Sequence, residues 1–124
     1  MSYPDDRHLE HLPAGVGRAA TECGDAVEIR LWTSGDRIRR VEFETHGCQN
    51  TLAAAAAAAE LARQRTLVEA LAVDGAAVQA AAVGLAPGRE HVAELAAAAL
   101  RAAAREALVY RHEPWRRLYR PDRA

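Results

Sequence analysis

The chain has 124 residues, a length that suits one compact domain spanning 1–124. All 16 basic residues are Arg, so a Schiff-base lysine, a lysine general base and a P-loop lysine are excluded. A formal net charge of −1 gives no global field, so nucleic acid is not an expected partner, and with 5% aromatic residues the core must be built from small side chains.

Residues 1–15 are polar, carry Tyr3, Pro4 and Pro13, and read as a short helix or loose arm. The first twenty residues hold Asp5, Asp6, Arg7 and Glu10 and no apolar run, so they do not resemble a secretory signal. A short strand is expected near Gly17 to Thr21. From Ala26 to Trp32 the run AVEIRLW alternates, with Val27, Ile29 and Leu31 on one face and Glu28, Arg30 and Trp32 on the other. The tract Ser34-Gly35-Asp36 is turn chemistry, and RIRRVEFET from Arg37 to Thr45 alternates again. Between Ile38 and Val41 the alternation slips by one residue, which suggests a bulge. The two runs make an antiparallel hairpin with one wet face.

After the hairpin the period changes. From Cys48 or Gln49 to Arg65 the composition is helical, and the apolar stretch from Leu52 to Ala59 falls well short of the roughly 20 residues that a bilayer span needs. Thr66 to Glu69 (TLVE) fits a capping box opening a second short helix. Asp74-Gly75 opens a third helix, expected to end near Gly84, and LAPGREH from Leu85 to His91 is a loop. A long helix follows from Glu90 to about His112, and then an Arg- and aromatic-rich tail over 110–124. The expected class is α+β: a small antiparallel sheet, a hairpin plus a short third strand, with several helices packed on one face and a long C-terminal helix.

Four residues that can ligate a metal fall at element junctions. Cys23 and Asp25 lie in ECGD, where a loop enters the first long strand. If that chain is extended, an i, i+2 pair points to one side of the sheet. Cys48 opens the Ala-rich helix, where unpaired amides and the helix dipole favour thiolate. His91 opens the last helix. The start of one hairpin strand lies beside the end of the next, so Cys23 and Cys48 are expected to be neighbours. Two thiolates, a carboxylate and an imidazole suit zinc or iron. The spacing alone leaves a second reading open, in which the cysteines are small buried residues and the His a surface one. In a cytoplasmic protein, the expected setting here, two lone cysteines are thiols or ligands sooner than a disulfide.

At these positions the sequence resembles the NifU/IscU-like iron–sulfur cluster assembly scaffolds. ECGDAVEIRL resembles the family's A/V-C-G-D segment and strand, and VEFETHGCQNTLAAAAA its strand, Y-G-C and Ala/Ser-rich helix. LAPGREHVAELAAAALRAA resembles its L-P-P-V-K-x-H-C segment and closing helix. The likeness runs in order over about residues 15–110. It implies that Cys23, Asp25, Cys48 and His91 bind iron or a labile [2Fe–2S] cluster for transfer to acceptor proteins, with sulfur delivered by a cysteine desulfurase. It also implies a scaffold and not an enzyme.

The chain departs from the family where its third cysteine should follow the His: here stands Val92, which cannot ligate. That departure motivates an alternative, a mononuclear zinc- or iron-binding paralogue that builds no cluster and binds or regulates a partner. A homo-oligomer is compatible with either. His46, two residues before Cys48, raises a further alternative of a base beside a thiolate nucleophile. His8, His11 and His112 read as surface residues. Trp115 and Tyr119 in the tail read as a cover for the helices, as part of a protein contact, or as stacking residues for single-stranded nucleic acid.

Overall fold

In a computed structural model, which describes residues 12–112, three strands lead and four helices follow. Strands β1 (Gly15–Ala20), β2 (Ala26–Ser34) and β3 (Arg37–His46) form one antiparallel sheet in the order β1-β2-β3. Helix α1 spans Gln49–Ala62, α2 Leu67–Ala70, α3 Gly75–Ala81 and α4 Glu90–His112. This is the expected α+β arrangement. Tyr3, His8, His11, Trp115 and Tyr119 lie outside the described residues.

The hairpin follows its alternation. Val27, Ile29 and Leu31 are buried against the helices, while Glu28 and Arg30 face away. The slip in β3 is a bulge: Trp32 opposes Arg40 and Thr33 opposes Ile38, leaving Arg39 unpaired. On the solvent face Arg18 bonds Glu28 at 2.5 Å, and Arg30 pairs with Glu28 and with Glu44 at 3.1 Å. Burial pushes the Glu28 carboxyl up, but its bonds from Arg18 and Arg30 outweigh that and hold it below the usual carboxylate range. Trp32, expected to be wet, is only 8% exposed and carries the Arg40 guanidinium 4.6 Å over its ring.

Thr66 and Glu69 form the reciprocal capping box of α2. Asp74 caps α3 through the Ala77 amide at 2.9 Å. That helix stops at Ala81, short of Gly84: only Val78 anchors it in the core, Ala82 is extended, and Val83 is 93% exposed. The core between sheet and helices is mostly methyl groups, among them Ala54, Ala55, Ala58, Ala62, Ala96, Ala99 and Ala103.

β1 meets α4 backbone to backbone. A Cβ on Gly17 would lie 2.1 Å from the Ala99 carbonyl oxygen, and one on Gly15 2.1 Å from that of Ala103, so only hydrogen fits there. Among the described residues no helix is long and apolar enough to cross a membrane.

Candidate functional site

The register that pairs Ala26 with His46 brings the residues just before β2 beside those just after β3. The β1–β2 turn, the turn from β3 into α1 and the start of α1 meet at this end of the sheet, and the loop before α4 reaches it through Ala86.

The β1–β2 connection is a tight turn. The Thr21 amide donates to the Asp25 carbonyl at 2.8 Å, the Asp25 amide to Thr21 Oγ1 at 3.2 Å, and the Gly24 amide to the Thr21 carbonyl at 3.2 Å. Gly24 has φ +97°, a conformation that glycine tolerates at no steric cost. The extended geometry expected for Cys23 and Asp25 is therefore corrected: the left-handed glycine between them bends the chain. Cys23 sits exposed in the turn, while Asp25 is half-buried at the entry to β2.

Across from Asp25, Gly47 turns the chain from β3 into α1, and Cys48 takes the N-cap position with extended backbone. Thr51, in the first turn, is fully buried. Side chains on a helix lean toward its N-terminus, so the hydroxyl reaches back over the cap. Its Oγ1 donates to Asp25 Oδ1 at 3.2 Å and lies 3.8 Å from Cys48 Sγ. A Cβ on Gly47 would fall 2.3 Å from Asp25 Oδ1 and 2.9 Å from Thr51 Oγ1. The absence of a side chain at 47 is what lets carboxylate, hydroxyl and sulfur share one corner.

The backbone amides of Thr51 and then Asn50 hold the exposed Cys48 thiol below the ordinary thiol value. The Thr51 amide already bonds the Cys48 carbonyl at 3.1 Å and no side-chain cap bond forms, so this is the field of the helix start and not a closed cap. The loop before α4 is tied to the same corner, because the Ala86 amide donates to Asn50 Oδ1 at 3.1 Å. His91 is exposed in the first turn of α4, and the next residue, Val92, is 1% exposed and belongs to the core.

Of the four expected ligands, then, Asp25 and Cys48 are brought together through Thr51, while Cys23 and His91 stand in solvent on the adjoining turn and helix. Among the described residues no group of three or more His, Cys, Asp and Glu side chains is gathered closely enough to hold a metal ion. The donor set still fits zinc or iron chemically, and the bare Cα of Gly47 leaves room beside the Asp25 carboxylate. His46 ends β3 on the solvent face. It lines a cleft of about 320 Å³ with Arg18, Ala20, Ala26, Glu28 and Glu44, and Gly47 separates it from Cys48.

Residues 5–113 match the family model described as the NifU-like N terminal domain. This chain belongs to that family. A bifunctional protein NifU/MnmA of Rubrobacter xylanophilus is 42% identical to this NifU-like chain over 108 residues, covering 76% of the chain and 22% of the relative. The iron-sulfur cluster assembly scaffold protein IscU 1 of Archaeoglobus fulgidus is 38% identical over 90 residues, covering 72% of the chain and 59% of the relative. The chain thus spans about a fifth of the length of the first and just under three fifths of the second. The fold also matches a crystal structure from Fervidobacterium islandicum AW-1, assigned as an iron–sulfur cluster assembly scaffold for the SUF system. That match has a TM-score of 0.56 and 22% identity, covering 74% of this chain and 81% of the other.

Three residues that shape this NifU-like site escaped sequence reasoning: Gly47, Asn50 and Thr51. The signal for Thr51 was present. It stands three residues after Cys48, a spacing that puts both on one side of a helix start, and it precedes a run of alanines that offer no other hydroxyl.

Proposed function

We propose that the chain is a scaffold of iron–sulfur cluster assembly, binding iron or a labile [2Fe–2S] cluster as cargo through Cys23, Asp25, Cys48 and His91. The observation that carries this reading is the meeting of Asp25 and Cys48 at Thr51, across two loops that only the hairpin register brings together. Family membership and the names of the relatives agree with it. Cys23 is exposed in the turn that leads into Asp25, and the Asn50–Ala86 bond keeps the loop that leads to His91 near the cap.

In this reading Cys48 supplies a thiolate already favoured before cargo arrives, and Cys23 a second. Asp25 supplies a hard oxygen, a poorer partner for a soft cluster than sulfur, which suits cargo that is handed on. A cysteine desulfurase would supply sulfur, and acceptor proteins would receive the cluster. The chain binds and releases; it does not turn a substrate over. Anaerobic reconstitution with iron and sulfide, read by absorption and Mössbauer spectra, tests this. The wild-type chain should gain a sulfide-to-iron chromophore that Cys48→Ala lacks. A colourless, iron-free wild type would refute it.

One observation favours a second reading. Val92 is buried where a further thiol would be needed, leaving two cysteines in the whole chain. A mononuclear zinc or iron site that binds or regulates a partner would then remain. Elemental analysis of protein purified without oxygen separates the two: one zinc per chain with failed reconstitution supports the second.

A further inference from the structure

We propose that Thr51 is a positioning residue that fixes the Asp25 carboxylate beside Cys48 and favours binding of cargo through its other oxygen. This rests on the proposed cargo site and adds a residue to it that does not itself ligate. Thr51 is the one polar residue among the fully buried side chains described, so its hydroxyl is placed for a purpose that packing does not require. A buried hydroxyl must be hydrogen-bonded, and this one is: it donates to Asp25 Oδ1 at 3.2 Å and lies against Cys48 Sγ at 3.8 Å. The neighbouring backbone is shaped around this contact. Gly47 carries no Cβ where one would strike both Oδ1 and Oγ1, and Thr21 holds the Asp25 amide from the other side.

Two consequences follow from the atoms. The hydroxyl takes one lone pair of Oδ1, so Oδ2 is the less encumbered oxygen for a cation and Asp25 favours binding through that one over a two-oxygen clamp. The same hydroxyl sets the carboxylate and the sulfur on a common support, so their separation is fixed before cargo arrives. Hydrogen-bond partners of ligating groups orient those groups, and losing one costs roughly 10–100-fold in metal affinity.

Two isosteres separate the hydroxyl from packing. Thr51→Val keeps the shape and removes the hydroxyl, while Thr51→Ser keeps the hydroxyl and removes a methyl. Titration of metal-free protein with Co(II), followed by its thiolate charge-transfer and d–d bands, should show Thr51→Val weakened by about 10–100-fold, with Thr51→Ser close to wild type. The Thr51→Val d–d bands should also lose intensity, as a freed carboxylate takes up two positions on the ion. A packing role predicts the reverse order, with Ser impaired and Val intact, and would overturn the proposal.

A metal-independent arm keeps the two levels apart. In urea unfolding of the metal-free chain, Asp25→Ala and Thr51→Val should be non-additive, because each removes the same contact. Additive losses overturn the positioning role whatever the site binds. Non-additive losses in a chain that binds no Co(II) would instead refute the cargo site, and the positioning role with it.

Discussion

Gly47 is where one methyl group decides between a formed and a broken site. In Gly47→Ala the new Cβ would meet Asp25 Oδ1 at 2.3 Å, at a φ of +132° that L-residues rarely adopt. Holding a non-glycine residue in such a conformation costs about 1–3 kcal/mol. Swinging the Asp25 carboxylate aside relieves the clash but gives up the bond from Thr51, and a hydrogen bond to a charged group contributes about 1.5–3 kcal/mol, toward the lower figure here because Asp25 is half-buried. We expect a combined loss of about 3 kcal/mol. With a urea dependence of about 1–3 kcal/mol per molar, the unfolding midpoint read by circular dichroism should fall by roughly 1–3 M at unchanged slope. Co(II) titrated into the same protein should bind more weakly, because the carboxylate no longer faces Cys48. A variant with the wild-type midpoint and wild-type Co(II) affinity would refute the argument that a bare Cα at this position lets Asp25 and Thr51 meet.

Other outcomes test separate parts of the molecule. Gly17→Ala forces a Cβ to within 2.3 Å of the Ala103 amide nitrogen and should cost about 1–3 kcal/mol or more by overpacking, while the folded fraction keeps its Co(II) affinity; an unchanged melting temperature would contradict the close approach of β1 to α4. In a Cys23→Ser background, alkylation of Cys48 by iodoacetamide should reach half its limiting rate at a lower pH than an ordinary thiol does. Because the folded value is the lower one, the stability this thiolate adds is present above the unfolded thiol pKa and is lost as pH falls through the folded one, and Cys48→Ser should abolish that dependence. A thiol introduced by Val92→Cys begins inside the core, so it should resist alkylation in native metal-free protein and react on unfolding; rapid native labelling would mean that the first turn of α4 opens.

The hairpin was legible because two alternating runs, Val27-Ile29-Leu31 and Ile38-Val41-Phe43, surround a glycine turn, and even its bulge showed as a slip in the pattern. The α2 capping box was legible because Thr66 and Glu69 satisfy each other locally. β1 was harder. GVGRAA has little strand character of its own and is held by backbone contact with a helix about 80 residues away in sequence, which no local pattern encodes. The end of α3 was overestimated because composition continues helical to Val83, while Val78 is the last fully buried residue of the helix and Ala82 is already extended. In the site, residue types at junctions named the candidate ligands, and hairpin register pointed to Cys23 as the neighbour of Cys48, whereas the residue that meets Cys48 through Thr51 is Asp25. What the residues could not reveal was how a left-handed Gly24 would bend the ECGD segment, or that a threonine hydroxyl, ordinarily a minor element of a helix start, would be buried against a carboxylate.

The seam between β1 and α4 behaves like a toothed rack. Gly15 seats between Ala103 and Ala107, and Gly17 between Ala99 and Ala103. Two strand residues advance about 6.6 Å and four helical residues about 6 Å, so the notches on the two sides are nearly matched in pitch. A slide of the helix by a fraction of that step would drive its carbonyls into the strand, leaving full-notch jumps as the only unobstructed ones. In the proposed cargo site, a gradual glide of the helix is therefore blocked as a way to bring His91, eight residues before the first notch at Ala99, toward cargo. Any approach must come from rotation of its own ring or from rearrangement of the 82–89 connection and the first helical turn, while the rest of the helix stays locked in place.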